Sequence, residues 1–266
     1  MSSFQHEHIE KMATDLGLST MCQLTGPLAE EASTHDWTYL DYLERLLDEE
    51  TSAKFSRRVR VKSQMANFPF RKTLAQFDFS FQPSVDKRKL NELASLKFIE
   101  EKENILFLGP PGVGKTHLAV SLGMVAIEAG MSVYFTRVHD MIHTLLKARQ
   151  TGTMTRKMAT YIRFPLLIVD EIGYLPLNQE EAALFFELVS GRYEKGSLIL
   201  TSNRSYGSWG DIFPDTIITA ATLDRLLHHS TTINIKGNSY RLKEKAKAGL
   251  VSQSSLMKAH GTEKEG

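Results

Sequence analysis

A glycine-rich segment at residues 109–116 has the residue types that bind phosphate groups. It reads GPPGVGKT and matches the pattern G-x-x-x-x-G-K-[ST] in full. Glycines let successive backbone N–H groups turn toward phosphate oxygens, and the N-terminus of a following helix adds positive charge. Lys115 is expected to bridge the β and γ phosphates of a nucleoside triphosphate, and the Thr116 hydroxyl to bind Mg²⁺. The predicted nucleotide-binding residues are Gly109, Pro110, Pro111, Gly112, Val113, Gly114, Lys115, Thr116 and His117.

Two adjacent carboxylates end a buried-strand pattern further along the chain. The segment LLIVDEI, residues 166–172, is apolar up to Asp170 and Glu171. Asp170 is predicted to hold Mg²⁺ with Thr116, directly or through water, and Glu171 to polarise a water molecule for attack on the phosphate. An aspartate alone is common among nucleotide switches, whereas the Asp-Glu pair indicates hydrolysis. The simpler interpretation is that two acidic residues end a strand.

Three more polar residues are predicted to complete the catalytic set with Glu171. Asn203 ends the strand pattern LILTSN, where a polar group could orient the attacking water. Arg225 lies on a predicted helix after it, and Arg241 follows the last strand pattern. An arginine of this kind can stabilise transition-state charge on a neighbour's γ-phosphate. Arg204 competes with Arg225 for that role, and each of these residues could also be an ordinary turn, surface or salt-bridge residue.

Short apolar runs separated by helix-length segments predict the elements that position these residues. Runs without alternation are typical of strands buried on both faces of a parallel sheet. Because one such run lies between the phosphate-binding run and the acidic run along the chain, its strand must lie elsewhere in the sheet. We therefore predict an α/β fold with a five-stranded parallel sheet in the order 5-1-4-3-2. The five runs are NILFL (104–108), SVYFT (132–136), PLLIVD (165–170), SLILTS (197–202) and TTINI (231–235).

The first 70 residues have a different, helical pattern. Leucines at spacings of three and four predict a helix over residues 38–65, and TGPLAE at 25–30 predicts a break between shorter helical pieces. Pro69 cannot continue a helix and biases the preceding residue toward extended geometry. We predict a helical N-terminal domain at 1–70, an ATPase domain at 71–250 and a flexible C-terminal tail at 251–266.

The segment after this predicted boundary alternates in aromatic character. Phe77, Phe79 and Phe81 favour a strand or extended arm, and at least two of them are expected in the core. A helix is predicted to follow from Ser84, a capping candidate, to Phe98.

Charge is distributed unevenly along a chain whose formal net charge is only +1. Residues 1–50 contain eleven aspartates and glutamates against Lys11 and Arg45, whereas residues 51–75 contain seven basic residues and no acidic one. A cluster within them, here called the basic collar, would bind nucleic-acid phosphates without reading bases. A solvated helix face, or pairing with the acidic residues upstream, is the alternative. The basic collar consists of Lys54, Arg57, Arg58, Arg60 and Lys62.

The composition is that of an ordinary globular protein. Hydrophobic residues make up 42% and charged residues 24% of the chain, and no apolar run is long enough for a membrane span. The start is polar, without a signal region, and the single cysteine, Cys22, suits a reducing compartment. We therefore expect a cytoplasmic protein without a membrane partner, and the family resemblance described next implies a bacterial one. The histidines at 228 and 229 are interpreted as surface or interface residues rather than metal ligands.

Taken together, these segments resemble the IstB-like branch of AAA+ ATPases. These are helper proteins encoded beside a transposase in bacterial insertion sequences, and they are related to the DnaC-type helicase loaders. The resemblance covers nearly the whole chain. The phosphate loop alone would be unspecific, but its combination with the other segments is highly specific. The segments are YLDYLERLLDEE, FDFSFQPSVDKRKLNELASLKFIE, GPPGVGKTHLA, VYFT, LLIVDEIGYLP, LILTSNRSYGSWGDIF, ATLDRLLHHS and GNSYRLKEK.

The resemblance implies roles for the residues singled out above. Asn203 is similar to the sensor of the γ-phosphate, Arg225 to a finger acting in trans, and Arg241 to a second sensor. Such proteins are expected to use ATP and Mg²⁺, to form ATP-dependent homo-oligomers on duplex DNA with little sequence preference, and to recruit the cognate transposase. A helicase loader that binds helicase and single-stranded DNA is the alternative, and a small-molecule kinase is a third.

Overall fold

The computed structural model describes residues 3–247 of the 266-residue chain, and the predicted tail at 251–266 lies outside them. The strands are β1 Asn104–Leu108, β2 Val133–Arg137, β3 Leu166–Ile172, β4 Ser197–Ser202 and β5 Ser230–Asn234. The helices are α1 Ser3–Asp15, α2 Ser19–Thr34, α3 Tyr39–Met65, α4 Lys87–Leu93, α5 Lys97–Glu100, α6 Lys115–Glu128, α7 Val138–Gln150, α8 Met154–Ile162, α9 Gln179–Arg192, α10 Thr216–Leu227 and α11 Tyr240–Lys247.

The five strands form one parallel sheet. Its order is β2-β3-β4-β1-β5, which is the predicted order read from the other side. All residues of β1 and β4 are buried, as expected for strands covered on both faces. The predicted α/β fold class and sheet order are confirmed. In such a sheet the carboxyl ends of the strands share one edge, which is the usual place for a ligand.

The chain divides into two compact units between Val61 and Lys62. The first contains α1, α2 and most of α3, and a buried carboxylate helps to hold it together. Glu50 on α3 accepts hydrogen bonds from the backbone N–H groups of Thr20 and Met21, at 2.7 and 2.9 Å, in the first turn of α2. The second unit contains the sheet. Where the functional domains begin and end stays a prediction.

The predicted break at 25–30 is wrong, because α2 runs through it with Pro27 in its interior. Proline lacks the N–H that would bond the carbonyl four residues earlier, so the helix loses one hydrogen bond there. Thr25 and Leu28 on either side of Pro27 are buried. Their packing keeps the segment helical despite the proline. The helix predicted over 38–65 is confirmed by α3.

The segment after α3 also differs from the expectation. Residues 77–81 form turns rather than a strand, and only Phe77 of the three phenylalanines is fully buried. The helix predicted from 84 to 98 is split into α4 and α5, because Leu96 takes a left-handed conformation with φ +66°. Asp86 caps α4 by accepting a hydrogen bond from the Arg88 amide. Ser84 does not cap it and instead exchanges two hydrogen bonds with the backbone of Lys236.

Within residues 3–247, none of the helices combines the length and apolar character that a bilayer span requires.

Candidate nucleotide-binding site

The phosphate loop, residues 109–116, joins the carboxyl end of β1 to the start of α6. Neighbouring side chains leave no room for a Cβ at two of its glycines. Gly114 has φ +101°, and a Cβ there would lie 2.6 Å from Cε2 of Phe77. Gly112 has φ +83°, and a Cβ there would collide with the side chain of Ser239. Both positions therefore require glycine, as expected of a loop whose amides face a phosphate group.

Lys115 is buried at the first position of α6. Its ammonium donates to the loop carbonyls of Gly109 and Pro110, at 2.6 and 2.8 Å. Burial lowers the pKa of Lys115 to about 8, because the charged form loses solvation; the negative charge of Asp170 opposes this shift and the positive charge of Arg241 adds to it. The structure thus holds a cation in a buried place beside the loop, where phosphate oxygens would stabilise its charge.

Thr116 and Asp170 meet between α6 and β3. The Thr116 hydroxyl lies 3.1 Å from both carboxylate oxygens of Asp170, which is 2% exposed. Burial raises the pKa of Asp170, whereas hydrogen bonds from Thr201 and Thr116 lower it. A hydroxyl and a carboxylate are hard oxygen ligands of the type that Mg²⁺ prefers. The donor set therefore fits the predicted magnesium site.

Glu171 follows Asp170 near the carboxyl end of β3. Its φ is +66°, a left-handed conformation that is rare outside glycine, and its amide donates to the Thr201 hydroxyl at 3.0 Å. Its carboxylate forms an ion pair with Nε of Arg137 at 3.2 Å. Arg137 ends β2 and is paired in register with Asp170. Glu171 is therefore at the edge of the sheet with the phosphate loop, and its charge is partly balanced.

Asn203 follows β4 at the same edge of the sheet. Among the described residues, its Oδ1 is one of the few buried side-chain polar atoms without a hydrogen-bond partner. A buried amide oxygen without a partner is costly unless something else satisfies it. A water molecule beside a bound phosphate would do so, which agrees with the predicted role of Asn203.

Two backbone segments cover the loop from outside the sheet. His117 of α6 lies 2.9 Å from the carbonyl of Thr73, and its ring packs edge-on against Phe77 at 5.4 Å. The amide of Tyr240, at the start of α11, donates to the carbonyl of Gly112 at 2.9 Å. The chain between α3 and α4 therefore contacts the first turn of α6, and the chain after β5 contacts the phosphate loop.

The two predicted arginines lie at opposite edges of the sheet. Arg241 on α11 is close enough to Lys115 to depress its pKa, so it belongs to the phosphate edge. Arg225 is near the end of α10, which leads into the start of β5, and it lines a small cavity with Asn104 at the start of β1. Its guanidinium lies over the ring of Phe186, 4.7 Å from the centroid. Five-residue strands separate the two edges by about 16 Å, so Arg225 lies far from the phosphate loop of its own chain.

The basic collar lies on α3, partly engaged with its own surroundings. Lys54 is 3.7 Å from the carboxylate of Glu50, and Arg57 donates to the Ser19 hydroxyl at 2.9 Å. Arg58 lies over the ring of Phe55, and the Lys62 ammonium bonds the carbonyl of Gly130. Arg60 is exposed. Part of the predicted alternative, pairing with acidic residues upstream, is therefore seen for Lys54.

Sequence reasoning missed Arg137 and Thr201. Arg137 closes the strand pattern VYFTR, but only the pairing of β2 with β3 places it beside Glu171. Thr201 stands near the end of β4, two positions before Asn203, which follows that strand. Its hydroxyl contacts both carboxylate residues of the site. A polar residue directly after the apolar run LIL of β4 was the available signal.

Comparisons with known proteins agree with this geometry. A family model described as IstB-like ATP-binding protein matches residues 11–248. The ATP-binding protein of insertion sequence IS5376 from Geobacillus stearothermophilus is 46% identical over 239 residues, covering 90% of this chain and 95% of that protein. The ATP-binding protein of insertion sequence IS21 from Pseudomonas aeruginosa is 46% identical over 248 residues, covering 93% of each.

Solved structures show the likeness of fold. The crystal structure of DnaI superposes with a TM-score of 0.54 at 19% identity, covering 62% of this chain and 92% of that one. DnaA from Aquifex aeolicus, bound to AMPPCP, superposes with a TM-score of 0.52 at 21% identity, covering 73% of this chain and 60% of that one. The phosphate loop, the sheet order and these comparisons confirm the resemblance noted in the sequence. The chain belongs to the IstB-like ATP-binding protein family, and its core has the AAA+ fold.

Proposed function

We propose that this protein hydrolyses ATP in a Mg²⁺-dependent reaction. The observation that carries the proposal is the convergence of Lys115, Thr116, Asp170 and Glu171 at one edge of the sheet. Lys115 binds the phosphates, and Thr116 with Asp170 holds Mg²⁺, which neutralises phosphate charge when bound. Glu171 accepts a proton from the attacking water while Asn203 orients that water. Arg241, on the same edge, senses the γ-phosphate of its own chain.

The position of Arg225 supports a second part of the proposal, that ATP is bound between neighbouring copies. Arg225 lies at the edge opposite its own phosphate loop, so it can reach only the nucleotide of a neighbour. A head-to-tail contact of this kind generates a ring or a filament. ATP then favours assembly because it contacts two subunits, and hydrolysis weakens that contact.

The basic collar and the names of the relatives support a proposal about partners. The relatives quoted above are ATP-binding proteins of insertion sequences. We propose that the assembled protein binds duplex DNA through the basic collar with little sequence preference and presents this target to the transposase of its element. The collar binds phosphates, so affinity for DNA falls as salt rises.

Sedimentation tests assembly and DNA choice together. The protein is centrifuged with ATP, ADP or no nucleotide, each with random-sequence duplex, single-stranded DNA or no DNA. We expect large assemblies that require ATP and form preferentially on duplex. Preference for single strands would instead favour the helicase-loader function.

Glu171→Gln should bind ATP and lock the assembly, and its rapid disassembly in excess ATP would contradict the scheme. Glu180→Gln, an exposed glutamate on α9, is the matched control.

The collar is tested by charge reversal. Arg58→Glu with Arg60→Glu reverses the charge of two collar residues that form no ion pair and no hydrogen bond described above. Duplex affinity should fall. The magnitude of the negative slope of log affinity against log salt should decrease by about 2, since each phosphate contact contributes roughly 0.9. Lys157→Glu on α8 is the control for a change of exposed charge. An unchanged slope in the collar variant excludes these residues from the DNA contact.

A further inference from the structure

The strand that ends in the two acidic residues has a β-bulge opposite β4. Val169 pairs with Leu200, and the next pair in register is Ile172 with Ser202. Two residues of β3, Asp170 and Glu171, therefore face one residue of β4, Thr201. A bulge bends its strand, re-aims side chains and leaves part of the hydrogen-bond ladder unmade.

The Thr201 hydroxyl takes over the bonds that the bulge leaves open. It accepts a hydrogen bond from the Glu171 amide at 3.0 Å and donates its own hydrogen to the Asp170 carboxylate. A hydroxyl has one donor and two acceptor positions, so a single atom can serve both neighbours. Thr201 is 1% exposed, and no bulk water can replace it.

Removing this hydroxyl would leave two polar groups without a partner. The Glu171 amide would lose its acceptor, and a buried unpaired N–H group costs about 1–3 kcal/mol. The Asp170 carboxylate would lose the hydrogen bond from Thr201, at a position where burial already disfavours its charge. The left-handed backbone of Glu171, with φ +66°, would lose the bond that holds it.

We propose that Thr201 is a positioning residue that holds the bulge, aims Glu171 toward the nucleotide and keeps Asp170 ready to bind Mg²⁺. The proposal rests on the proposed Mg²⁺-dependent ATP hydrolysis. Thr201 then acts only through Asp170 and Glu171. Loss of its hydroxyl should therefore affect Mg²⁺ binding and turnover more than ATP affinity.

Thr201→Val tests this, because valine has nearly the same shape without the hydroxyl. Loss of a residue that supports a metal ligand costs about 10- to 100-fold in metal affinity or activity. We expect kcat to fall by about that factor, the Mg²⁺ concentration for half-maximal activity to rise, and KM for ATP to stay within about 2-fold. Thr201→Ser keeps the hydroxyl and should restore kcat to within about 3-fold of wild type.

Thr222→Val is the matched control. Thr222 is also a fully buried threonine, and its hydroxyl bonds only the carbonyl of Ile218 within α10. This variant should lose stability without a change in Mg²⁺ dependence. If both valine variants change kcat and Mg²⁺ dependence equally, Thr201 acts only in stability and the proposal is overturned. If Thr201→Val does not fold, Thr201→Ala against Thr201→Ser isolates the same hydroxyl.

A binding readout separates this proposal from the proposed function. The rise in Tm produced by ADP is measured with and without Mg²⁺ for wild type and each variant. In Thr201→Val the extra stabilisation by Mg²⁺ should be lost, whereas the effect of ADP alone should remain. Should wild type prove unable to hydrolyse ATP, hydrolysis would be rejected, and this readout would still decide the role of Thr201. Full Mg²⁺-dependent stabilisation in Thr201→Val contradicts it.

Discussion

Glu171 has a partner that its proposed role in catalysis does not require. A carboxylate that is to accept a proton from water is here paired with the guanidinium of Arg137 at 3.2 Å. The pair is partly exposed, so it holds the carboxylate only weakly. At the scale of the residue, Arg137 would compete with the proposed attacking water for Glu171.

Arg137→Gln should therefore raise ATP turnover in the absence of DNA. An exposed ion pair contributes about 0.2–1 kcal/mol, so the expected increase is at most about 5-fold. The measurement is steady-state phosphate release. Arg149→Gln, which removes the exposed pair with Glu180, is the control and should leave turnover unchanged. A decrease in Arg137→Gln would assign Arg137 a direct role in catalysis.

Lys115 gives a prediction about pH. Its pKa of about 8 lies below the ordinary 10.5, because burial disfavours the charged form. Bound phosphates favour that form, so they raise the pKa. Above pH 8 a large fraction of Lys115 is neutral, and ATP binding must be accompanied by proton uptake; at pH 7 the lysine is already charged and uptake is small.

Calorimetry in two buffers of different ionisation enthalpy checks this expectation. At pH 8.5 the binding heats should differ by an amount that corresponds to uptake of about half a proton or more. At pH 7.0 they should nearly coincide. Equal heats at both values of pH would show that the pKa of Lys115 does not change on binding.

At the scale of the element, α2 depends on a carboxylate from another helix. Burial alone would raise the pKa of Glu50, but the Met21 and Thr20 amides and the charges of Lys54 and Arg57 lower it below 4.5. A lowered pKa in the folded state means that this stabilisation is present above about pH 4.5 and is lost as the pH falls through the folded value. The N-terminus of α2 also favours negative charge.

Glu50→Gln should destabilise the first compact unit by about 1 kcal/mol at pH 7, the usual cost of losing a helix cap. The difference from wild type should shrink toward pH 3, where Glu50 is protonated. Urea unfolding followed by circular dichroism measures it at both values of pH. Glu49→Gln, which affects only the pair with Arg45, should change little. A difference that is independent of pH would mean that the charge of Glu50 does not matter.

Strands were predictable from the sequence because burial on both faces leaves a simple pattern. NILFL and SLILTS coincide with β1 and β4, and the other three runs differ from their strands by one or two residues. The helix α3 was equally clear from its leucine spacing. Elements whose limits depend on local capping were not predictable in this way. Asp86 sets the start of α4 and Leu96 divides the helix predicted at 84–98, and neither residue type alone predicts these limits.

The site was predictable where neighbours in sequence form it and not where neighbouring strands do. The phosphate loop and the Asp170-Glu171 pair are contiguous, so their spacing identifies them. Arg137 and Thr201 approach that pair only through the register of β2 and β4 on β3. The bulge that aims Glu171 exists only in the paired sheet. No spacing rule along one strand can reveal it.

At the scale of the whole molecule, the roles proposed for the two arginines divide the work of one active site between two copies. A mixing experiment tests this division. Lys115→Ala lacks phosphate binding and Arg225→Ala lacks the proposed finger, so each should be inactive alone. When the two variants are mixed randomly in equal amounts, half of the loops and half of the fingers are intact. An intact loop therefore meets an intact finger at about a quarter of the contacts between subunits.

The mixture should therefore regain about a quarter of wild-type turnover if each contact acts independently. The control is a mixture of Lys115→Ala with Arg241→Ala. Arg241 is proposed to act on the phosphate loop of its own chain, so no subunit of this mixture has both residues intact. That mixture should stay inactive. Full activity of Arg225→Ala by itself would exclude Arg225 as the finger, and Arg204, at the other edge of the sheet, would then be tested in the same way.

Lys115 has one more consequence, which concerns the release of nucleotide. Its ammonium donates to the carbonyls of Gly109 and Pro110 in the phosphate loop. When ADP leaves, the Lys115 ammonium therefore exchanges phosphate oxygens for these two carbonyls, and its buried charge keeps hydrogen-bond partners throughout. Such an exchange lowers the barrier to product release, whereas entering ATP must first displace these two bonds. We therefore expect the two carbonyls to shorten the dwell time of ADP on the loop and to lower its affinity for nucleotide, because they compete with phosphate oxygens for the Lys115 ammonium.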